Sequence, residues 1–211
     1  MCNHGFFGDG VICKEACTCR LRGDPILRSY DGNYIILSGT NKYQMTKHID
    51  PRDECSFNVE VKAGHPKHIL GTTYPRFLEV MVYSIVIHLD QHGRAYIGGS
   101  SGTQIQLPSN NVLHPGLRIY KYRNYVIVDT DCGLRVGFDG EGLRSVAVID
   151  VPPRYKDKMV GLCGDCDGKL DDLRTAEGVR VDHRADKFDL IANSFKVDEF
   201  SDKDLPAETQ A

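Results

Sequence analysis

The sequence has no surplus of positive charge and no long apolar run. Its 211 residues include 26 lysines and arginines against 29 aspartates and glutamates, which gives a formal net charge of -3. No stretch gathers the basic residues into a stripe that could neutralise phosphates, so we exclude nucleic acid as a partner. The longest apolar candidate, residues 80–89, is interrupted by Tyr83, Ser84 and His88. It is shorter than the roughly 18 residues of a membrane span, so we expect no membrane insertion.

Low-complexity tracts, Asn-x-Ser/Thr sequons and a secretory signal at the first residues are also missing. Without low-complexity tracts, and with 41% hydrophobic residues, the chain is expected to fold around one substantial core. The first residues have neither a basic start nor an apolar segment, so we interpret the chain as a fragment of a longer secreted protein. A cytosolic origin is the alternative, and it would leave eight thiols unexplained.

Cysteine is the most informative residue type that the chain does contain. The eight cysteines stand at positions 2, 13, 17, 19, 55, 132, 163 and 166. An even number is typical of a disulfide framework in a secreted, extracellular protein. Zinc is the competing interpretation, because Cys163 and Cys166 have C-x-x-C spacing and Cys17 with Cys19 could complete a four-thiolate site. The tight C-x-C pair fits a structural zinc site poorly, so we predict disulfides.

Short alternating or β-branched segments, separated by Gly, Pro, Asn and Asp, fill residues 25–150. The predicted strands are 26–30, 34–38, 43–48, 57–62, 77–89, 94–97, 104–107, 117–130, 134–138 and 145–149. Strands at this spacing predict an all-β fold, an antiparallel β-sandwich or barrel, and we expect a disulfide-stapled sandwich. Beyond residue 152 the pattern indicates loops and short helical turns. Residues 201–211 have too little apolar content to pack and are predicted to form a flexible linker.

The densest group of carboxylates lies in the glycine-containing segment 161–173. It has four aspartates, Asp165, Asp167, Asp171 and Asp172. Calcium prefers about six to eight hard oxygen ligands, and a glycine-containing loop can direct several short carboxylates at one point. Without a cation these charges would repel each other. A solvated acidic loop is the alternative, and the register of an EF-hand is absent.

Two segments in this order resemble a von Willebrand factor type D domain. Residues 19–32 read Cys-Arg-Leu-Arg-Gly-Asp-Pro-Ile-Leu-Arg-Ser-Tyr-Asp-Gly, similar to that family's opening Cys, Gly-Asp-Pro and aromatic-Asp-Gly turn. Residues 161–168 read Gly-Leu-Cys-Gly-Asp-Cys-Asp-Gly and precede two further aspartates, as in the family's late loop. Matches at 132–140 and 192–195 extend the resemblance, so residues 19–200 are identified as a domain of this type.

The resemblance implies a calcium ion held between the first turn and the late loop. The implied ligands are Asp31, Asp165, Asp167, Asp171 and Asp172. Asp165 stands where the family usually has Asn, and five carboxylates leave a surplus of negative charge, so one of them is expected not to bind the ion directly.

The resemblance also implies a disulfide between Cys19 and Cys163. The sequence departs from the family pattern at Thr40-Asn41 and at Val160, where other members have cysteines. The pairing of Cys17, Cys55, Cys132 and Cys166 therefore stays open.

Residues 2–13 resemble the last disulfide loop of an epidermal growth factor module. This implies a bond between Cys2 and Cys13 and assigns residues 1–18 to the C-terminal fragment of such a module. The integrin-type tripeptide at 22–24 is followed directly by Pro25, so we interpret it as structural. Ile26 replaces the histidine of the self-cleaving Gly-Asp-Pro-His motif, so cleavage is not expected.

The function implied by the resemblance is that of a calcium-stabilised structural and interaction module. Such a module would belong to a larger secreted adhesive, mucin-like or matrix glycoprotein and bind other extracellular glycoproteins or copies of itself. No nucleophile motif accompanies the scattered histidines, so no catalytic residue is predicted. The alternatives are a part of a secreted luciferase-type enzyme and a carrier similar to the yolk lipoproteins.

Overall fold

The structure, a computed structural model, describes residues 6–8, 13–23, 25–66, 72–110 and 113–197. Cys2 and the predicted linker at 201–211 lie outside these residues. Two eight-stranded antiparallel sheets enclose one hydrophobic core, which confirms the predicted all-β fold. A separate two-stranded sheet precedes them, and the assignment of residues 1–18 to an epidermal growth factor module stays a prediction.

Most of the strands follow one another closely along the chain, and a long segment without strands separates β17 from the α-helix. In chain order they are β1 (Phe6–Gly8), β2 (Cys13–Glu15), β3 (Cys17–Arg22), β4 (Ile26–Arg28), β5 (Tyr34–Ile36), β6 (Lys42–His48), β7 (Phe57–Gly64), β8 (Tyr74–Val82), β9 (Ile85–Leu89), β10 (Ala95–Ile97), β11 (Thr103–Ile105), β12 (Ser109–Asn110), β13 (Leu117–Tyr122), β14 (Tyr125–Thr130), β15 (Arg135–Phe138), β16 (Val146–Val151), β17 (Met159–Val160), α1 (Lys187–Ser194) and β18 (Lys196–Val197). In the described ranges no helix has the length and apolar character that a membrane crossing requires.

The first sheet has the order β12-β13-β14-β15-β16-β3-β4-β5, and the second has the order β11-β10-β9-β8-β7-β6-β17 with β18 also paired to β6. Alternation along each strand directs one set of side chains into the core. In β3, for example, Cys19 and Leu21 are buried while Arg20 and Arg22 are exposed. Each fully buried aliphatic side chain contributes about 1.5 to 3 kcal/mol.

Two of the predicted strands were wrong in their extent. Segments 77–89 and 117–130 each form two strands joined by a two-residue hairpin turn. The turns use Tyr83-Ser84, with φ of 52° and 59°, and Arg123-Asn124, with Arg123 at φ 55°. Neither turn contains the glycine or proline that usually marks a hairpin, so the sequence pattern gives no boundary within either segment. The pattern also did not predict β3.

A buried ionic cluster lies on the face of the second sheet that points away from the core. The Lys42 ammonium contacts the carboxylates of Glu60, at 2.5 Å, and Glu79. His88 Nδ1 lies 3.5 Å from Glu79 Oε1. The four side chains are at most 9% exposed, so each charge depends on its partners for compensation.

Candidate metal centre

The candidate centre lies where the turn between β4 and β5 meets the late segment that follows β17. The Tyr30 N–H donates to the Cys163 carbonyl at 2.9 Å. The two Asp31 carboxylate oxygens accept from the backbone N–H groups of Gly168, at 2.7 Å, and Asp167, at 3.2 Å. These bonds join parts of the chain about 135 residues apart, so the first turn and the late segment form one site.

Disulfides fix the same two regions. Cys19 is bonded to Cys163 and Cys17 to Cys166, with Cα–Cα distances of 5.6 and 6.0 Å. The first pair is the one that the family resemblance implies. These are the four cysteines that could have formed a four-thiolate zinc site, and the structure instead pairs them in two disulfides.

A third disulfide joins Cys55 to Cys132, whose Cα atoms are 5.6 Å apart. With Cys17–Cys166, it assigns the four cysteines that the resemblance left open. Cys2 lies outside the described residues, so the Cys2–Cys13 bond stays a prediction.

Three aspartates converge at the centre. One carboxylate oxygen from each of Asp31, Asp165 and Asp172 lies within 4.8 Å of the other two. A second group of three consists of Asp157, Asp165 and Asp167, whose carboxylate oxygens also lie within 4.8 Å of one another. The two groups share Asp165. Asp165 is therefore the central residue of an acidic site assembled from three separate parts of the chain.

The carboxylates of the first group are partly buried and close enough to repel each other. Burial raises the pKa of Asp31, and burial together with the charges of Asp167 and Asp31 raises that of Asp165. Burial, with a smaller contribution from the charge of Asp31, raises the pKa of Asp172 to about 6. The site therefore holds negative charge that a cation would compensate.

Hydrogen bonds and a glycine position Asp172. Its Oδ2 accepts from the Ser29 hydroxyl at 2.5 Å and from the Asn33 side-chain amide at 3.5 Å. Gly164 has φ of 79°, and a Cβ atom at this position would collide with the Asp172 carboxylate. Glycine is therefore required both by the backbone conformation and by the close approach of Asp172.

Two of the five predicted ligands have cationic partners in the structure. Asp171 accepts from the Arg174 guanidinium at 2.6 Å and belongs to neither group of three. Asp167 belongs to the second group, but it also accepts from the Lys169 ammonium, and this hydrogen bond lowers its pKa. The structure thus brings Asp31, Asp165 and Asp172 together and directs Asp171 elsewhere.

Asp157 is a member of the cluster that the sequence analysis missed. It has φ of 57°, and its backbone N–H donates to the Asp165 carbonyl at 3.0 Å. In the sequence it stands between Lys156 and Lys158, outside the glycine-containing segment. That context is typical of a solvated surface residue, so only the fold could associate it with Asp165.

The residues present fit a calcium ion. Every side chain of the two groups of three offers carboxylate oxygen, the hard ligand that calcium prefers. A cavity of about 150 Å³ beside the centre is lined by Asp165 and Asp172, and also by Asp171 with its partner Arg174. Zinc usually requires imidazole or thiolate ligands, and the two groups contain neither.

Comparison with known proteins identifies both a family and several relatives. The family model described as the von Willebrand factor type D domain matches residues 19–179. Zonadhesin of Sus scrofa is 29% identical over 205 residues, which cover 94% of this chain and 8% of that protein. IgGFc-binding protein of Homo sapiens is 27% identical over 193 residues, covering 90% and 3%, and SCO-spondin of Bos taurus is 28% identical over 163 residues, covering 76% and 3%. The chain therefore spans less than a tenth of the length of these relatives.

Proposed function

This chain belongs to the von Willebrand factor type D domain family, and on that premise we propose that it is a calcium-stabilised structural and interaction module of a larger extracellular protein. Three disulfides among the described residues support an oxidising, extracellular compartment. The relatives are many times longer than the matched region, and one of them is named for binding the Fc part of IgG. A binding role, with other extracellular glycoproteins or with copies of the chain as partners, agrees with these observations.

The observation that carries the calcium proposal is the convergence of Asp31 with Asp165 and Asp172. The first residue lies in an early turn and the other two in the late segment, so an ion between them would join the two regions. Burial, and to a smaller extent the neighbouring carboxylates, raise the pKa values of these groups, and calcium would compensate their negative charge. We assign these three carboxylates as the principal ligands.

The neighbouring aspartates have secondary roles in this proposal. Asp157 and Asp167 share Asp165 as a neighbour. Asp157 is available to complete the oxygen shell, whereas Asp167 would first have to release the Lys169 ammonium. Asp171, which is paired with Arg174, is excluded from it.

Thermal unfolding with calcium and with a chelator tests the proposal. Calcium binds the folded site and not the dispersed aspartates of the unfolded chain, so it should stabilise the protein by about 2.7 kcal/mol at a hundred times its Kd. Magnesium should substitute poorly because it requires a small octahedral shell and retains its water. The double change Asp165→Ala with Asp167→Ala should abolish the calcium response.

The matched control removes two aspartates that belong to surface ion pairs. Asp50 pairs with Arg52 and Asp182 with Arg180. The variant Asp50→Ala with Asp182→Ala should keep the full calcium response. If the wild-type protein melts at one temperature in calcium and in chelator, the acidic segment is a solvated surface feature and the proposal is wrong.

A further inference from the structure

The outer face of the first sheet carries a row of side chains that antiparallel pairing makes continuous. Ile127 of β14 faces Gly137 of β15, which faces Val148 of β16. Val148 in turn faces Arg20 of β3, which faces Arg28 of β4. Five strands at the usual spacing give this row a length of about 19 Å.

A groove opens over the glycine in this row. Its volume is about 180 Å³, and Ile127, Gly137 and Val148 line it together with Tyr122 and Tyr125. A Cβ atom at Gly137 would lie 3.0 Å from Ile127 Cδ1 and 3.4 Å from Tyr125 Cδ1. The missing side chain therefore creates the depression, and Tyr122, which is 55% exposed, offers its ring as a wall.

Four exposed arginines surround the groove and extend along the row. Arg20 and Arg123 line the groove itself, while Arg22 and Arg28 continue the basic surface across β3 and β4. Within the part of the chain that the structure describes, none of the four has a carboxylate at ion-pair distance. The chain as a whole is acidic, with a net charge of -3, so this face is a local concentration of positive charge.

The acidic groups of the same face are already hydrogen-bonded. Asp129 accepts from Arg118 at 2.5 Å and from Arg135 at 3.3 Å. Asp150, which also lines the groove, accepts from the Thr18 hydroxyl at 2.7 Å. Asp129 is thus compensated by two arginines, whereas Asp150 keeps its charge and adds one acceptor to the groove.

Asp139 and Glu141 lie near the Tyr125 ring at one end of the groove. Asp139 accepts from the backbone N–H groups of Val146, at 2.7 Å, and Glu141, at 3.3 Å. Glu141 accepts from the Asn124 side-chain amide at 2.6 Å. These two carboxylates add negative charge beside Tyr125, next to the hairpin that carries Arg123.

The backbone at the groove's edge is unusual. Arg123 occupies the hairpin turn between β13 and β14 with φ of 55°, a conformation that favours Gly or Asn. Its guanidinium lies 5.7 Å from the centre of the Tyr122 ring. The Arg123 guanidinium is therefore held beside the Tyr122 ring. The conformation of the turn by itself would favour glycine or asparagine at position 123.

We propose that this groove and its row of arginines bind a sulfated polysaccharide chain. Guanidinium groups match the oxygens of tetrahedral and planar anions through paired N–H donors, so Arg20 and Arg123 would hold sulfates. A sugar ring would pack on Tyr122, and its hydroxyls would meet both the arginine donors and the Asp150 acceptor. The length of the row allows successive sulfates to reach Arg28.

Strand pairing favours a polysaccharide over an extended peptide. The strands beneath the groove, β14, β15, β16 and β3, are each paired on both sides. No edge there offers free N–H and C=O groups to a peptide strand, so recognition must use side chains alone. The inference rests on the extracellular binding role proposed above, but it does not require the calcium site.

Calorimetric titration of the full chain with a heparin octasaccharide, in calcium buffer, tests the proposal. We expect binding that weakens as salt is added. The double variant Arg20→Gln with Arg123→Gln should lower the affinity at least about tenfold, because two charge-assisted contacts are lost. The matched control Arg52→Gln with Arg184→Gln removes two exposed arginines elsewhere and should bind like the wild-type chain.

Several results would overturn the proposal: no binding, equal losses in the groove variant and the control, or equal affinity for a fully desulfated octasaccharide. Tighter binding of a polyglutamate peptide would assign the surface to an acidic protein segment instead. The calcium-dependent shift in melting temperature is measured on every variant. A normal shift without heparin binding refutes only this inference, whereas a missing shift refutes the calcium proposal.

Discussion

The substitution Asp172→Asn should stabilise the protein in chelator and reduce the additional stability that calcium provides. At neutral pH and in chelator, the Asp172 carboxylate is ionised although burial raises its pKa to about 6. An amide of the same shape removes this unfavourable charge and keeps an oxygen for the Ser29 hydroxyl. In calcium, the same substitution removes a charged ligand, so the ion binds less tightly.

The magnitude follows from the pKa. A rise from 3.8 to about 6 corresponds to about 3 kcal/mol, and because solvent reaches the carboxylate we reduce this to about 1 to 2 kcal/mol. For a domain of this size the melting temperature of Asp172→Asn should rise by about 2 to 8 °C in chelator. The rise that calcium causes in the wild-type protein should be smaller in the variant.

Calorimetric melting of both proteins in calcium and in chelator provides the assay. The neighbouring residue gives the control, since Asp171 faces Arg174 instead of the centre. Asp171→Asn should cause a small loss of stability that is the same in both buffers. A fall in the melting temperature of Asp172→Asn in chelator would refute the reasoning that this carboxylate lacks compensation. So would a loss of the calcium response in Asp171→Asn.

Three further predictions concern pH, a disulfide and the buried ion pair. In chelator, the greater stability of Asp172→Asn over the wild-type protein should be complete above about pH 6 and disappear towards pH 4, and melting at stepped pH checks it. The reason is that the raised pKa lets Asp172 of the folded wild-type protein take up a proton at higher pH than Asp172 of the unfolded chain. The double change Cys55→Ala with Cys132→Ala opens a loop of 77 residues and should cost about 4 kcal/mol in denaturant unfolding, whereas a loss under 1 kcal/mol would contradict the loop argument. Lys42→Met removes the lysine cation that contacts two buried carboxylates and should cost about 3 to 5 kcal/mol, and unchanged denaturant unfolding would contradict the burial of this ion pair.

Strands were predictable wherever alternation and turn residues agreed. Segments such as 57–62 and 134–138 alternate in sequence between apolar residues and polar residues or glycine and end near glycine, and the structure places strands there. The hairpins at Tyr83-Ser84 and Arg123-Asn124 were not predictable, because neither turn contains glycine although Tyr83, Ser84 and Arg123 adopt positive φ. Tertiary pairing of the flanking strands outweighs the local preference in both turns.

The acidic centre was predictable in its location but not in its membership. Four aspartates in one glycine-containing segment indicated a cluster, and the resemblance added Asp31. The direction of each side chain depends on neighbours that the spacing does not reveal. Arg174 lies three residues beyond Asp171 and pairs with it, while Asp157 reaches Asp165 through a backbone turn. Local ion pairs therefore decide which carboxylates remain available to a cation.

The basic face of the first sheet shows the limit of charge patterns read along a chain. Arg20 and Arg28 are eight residues apart and Arg123 is about a hundred residues further on, so no window of sequence contains them all. They share a face because β3, β4 and the hairpin of β13 and β14 belong to one sheet, in which every second side chain points outward. The absence of a basic stripe in the sequence excludes a linear cluster of cations but not a surface cluster formed by strand register. In an antiparallel sandwich, binding surfaces must therefore be sought across the strands.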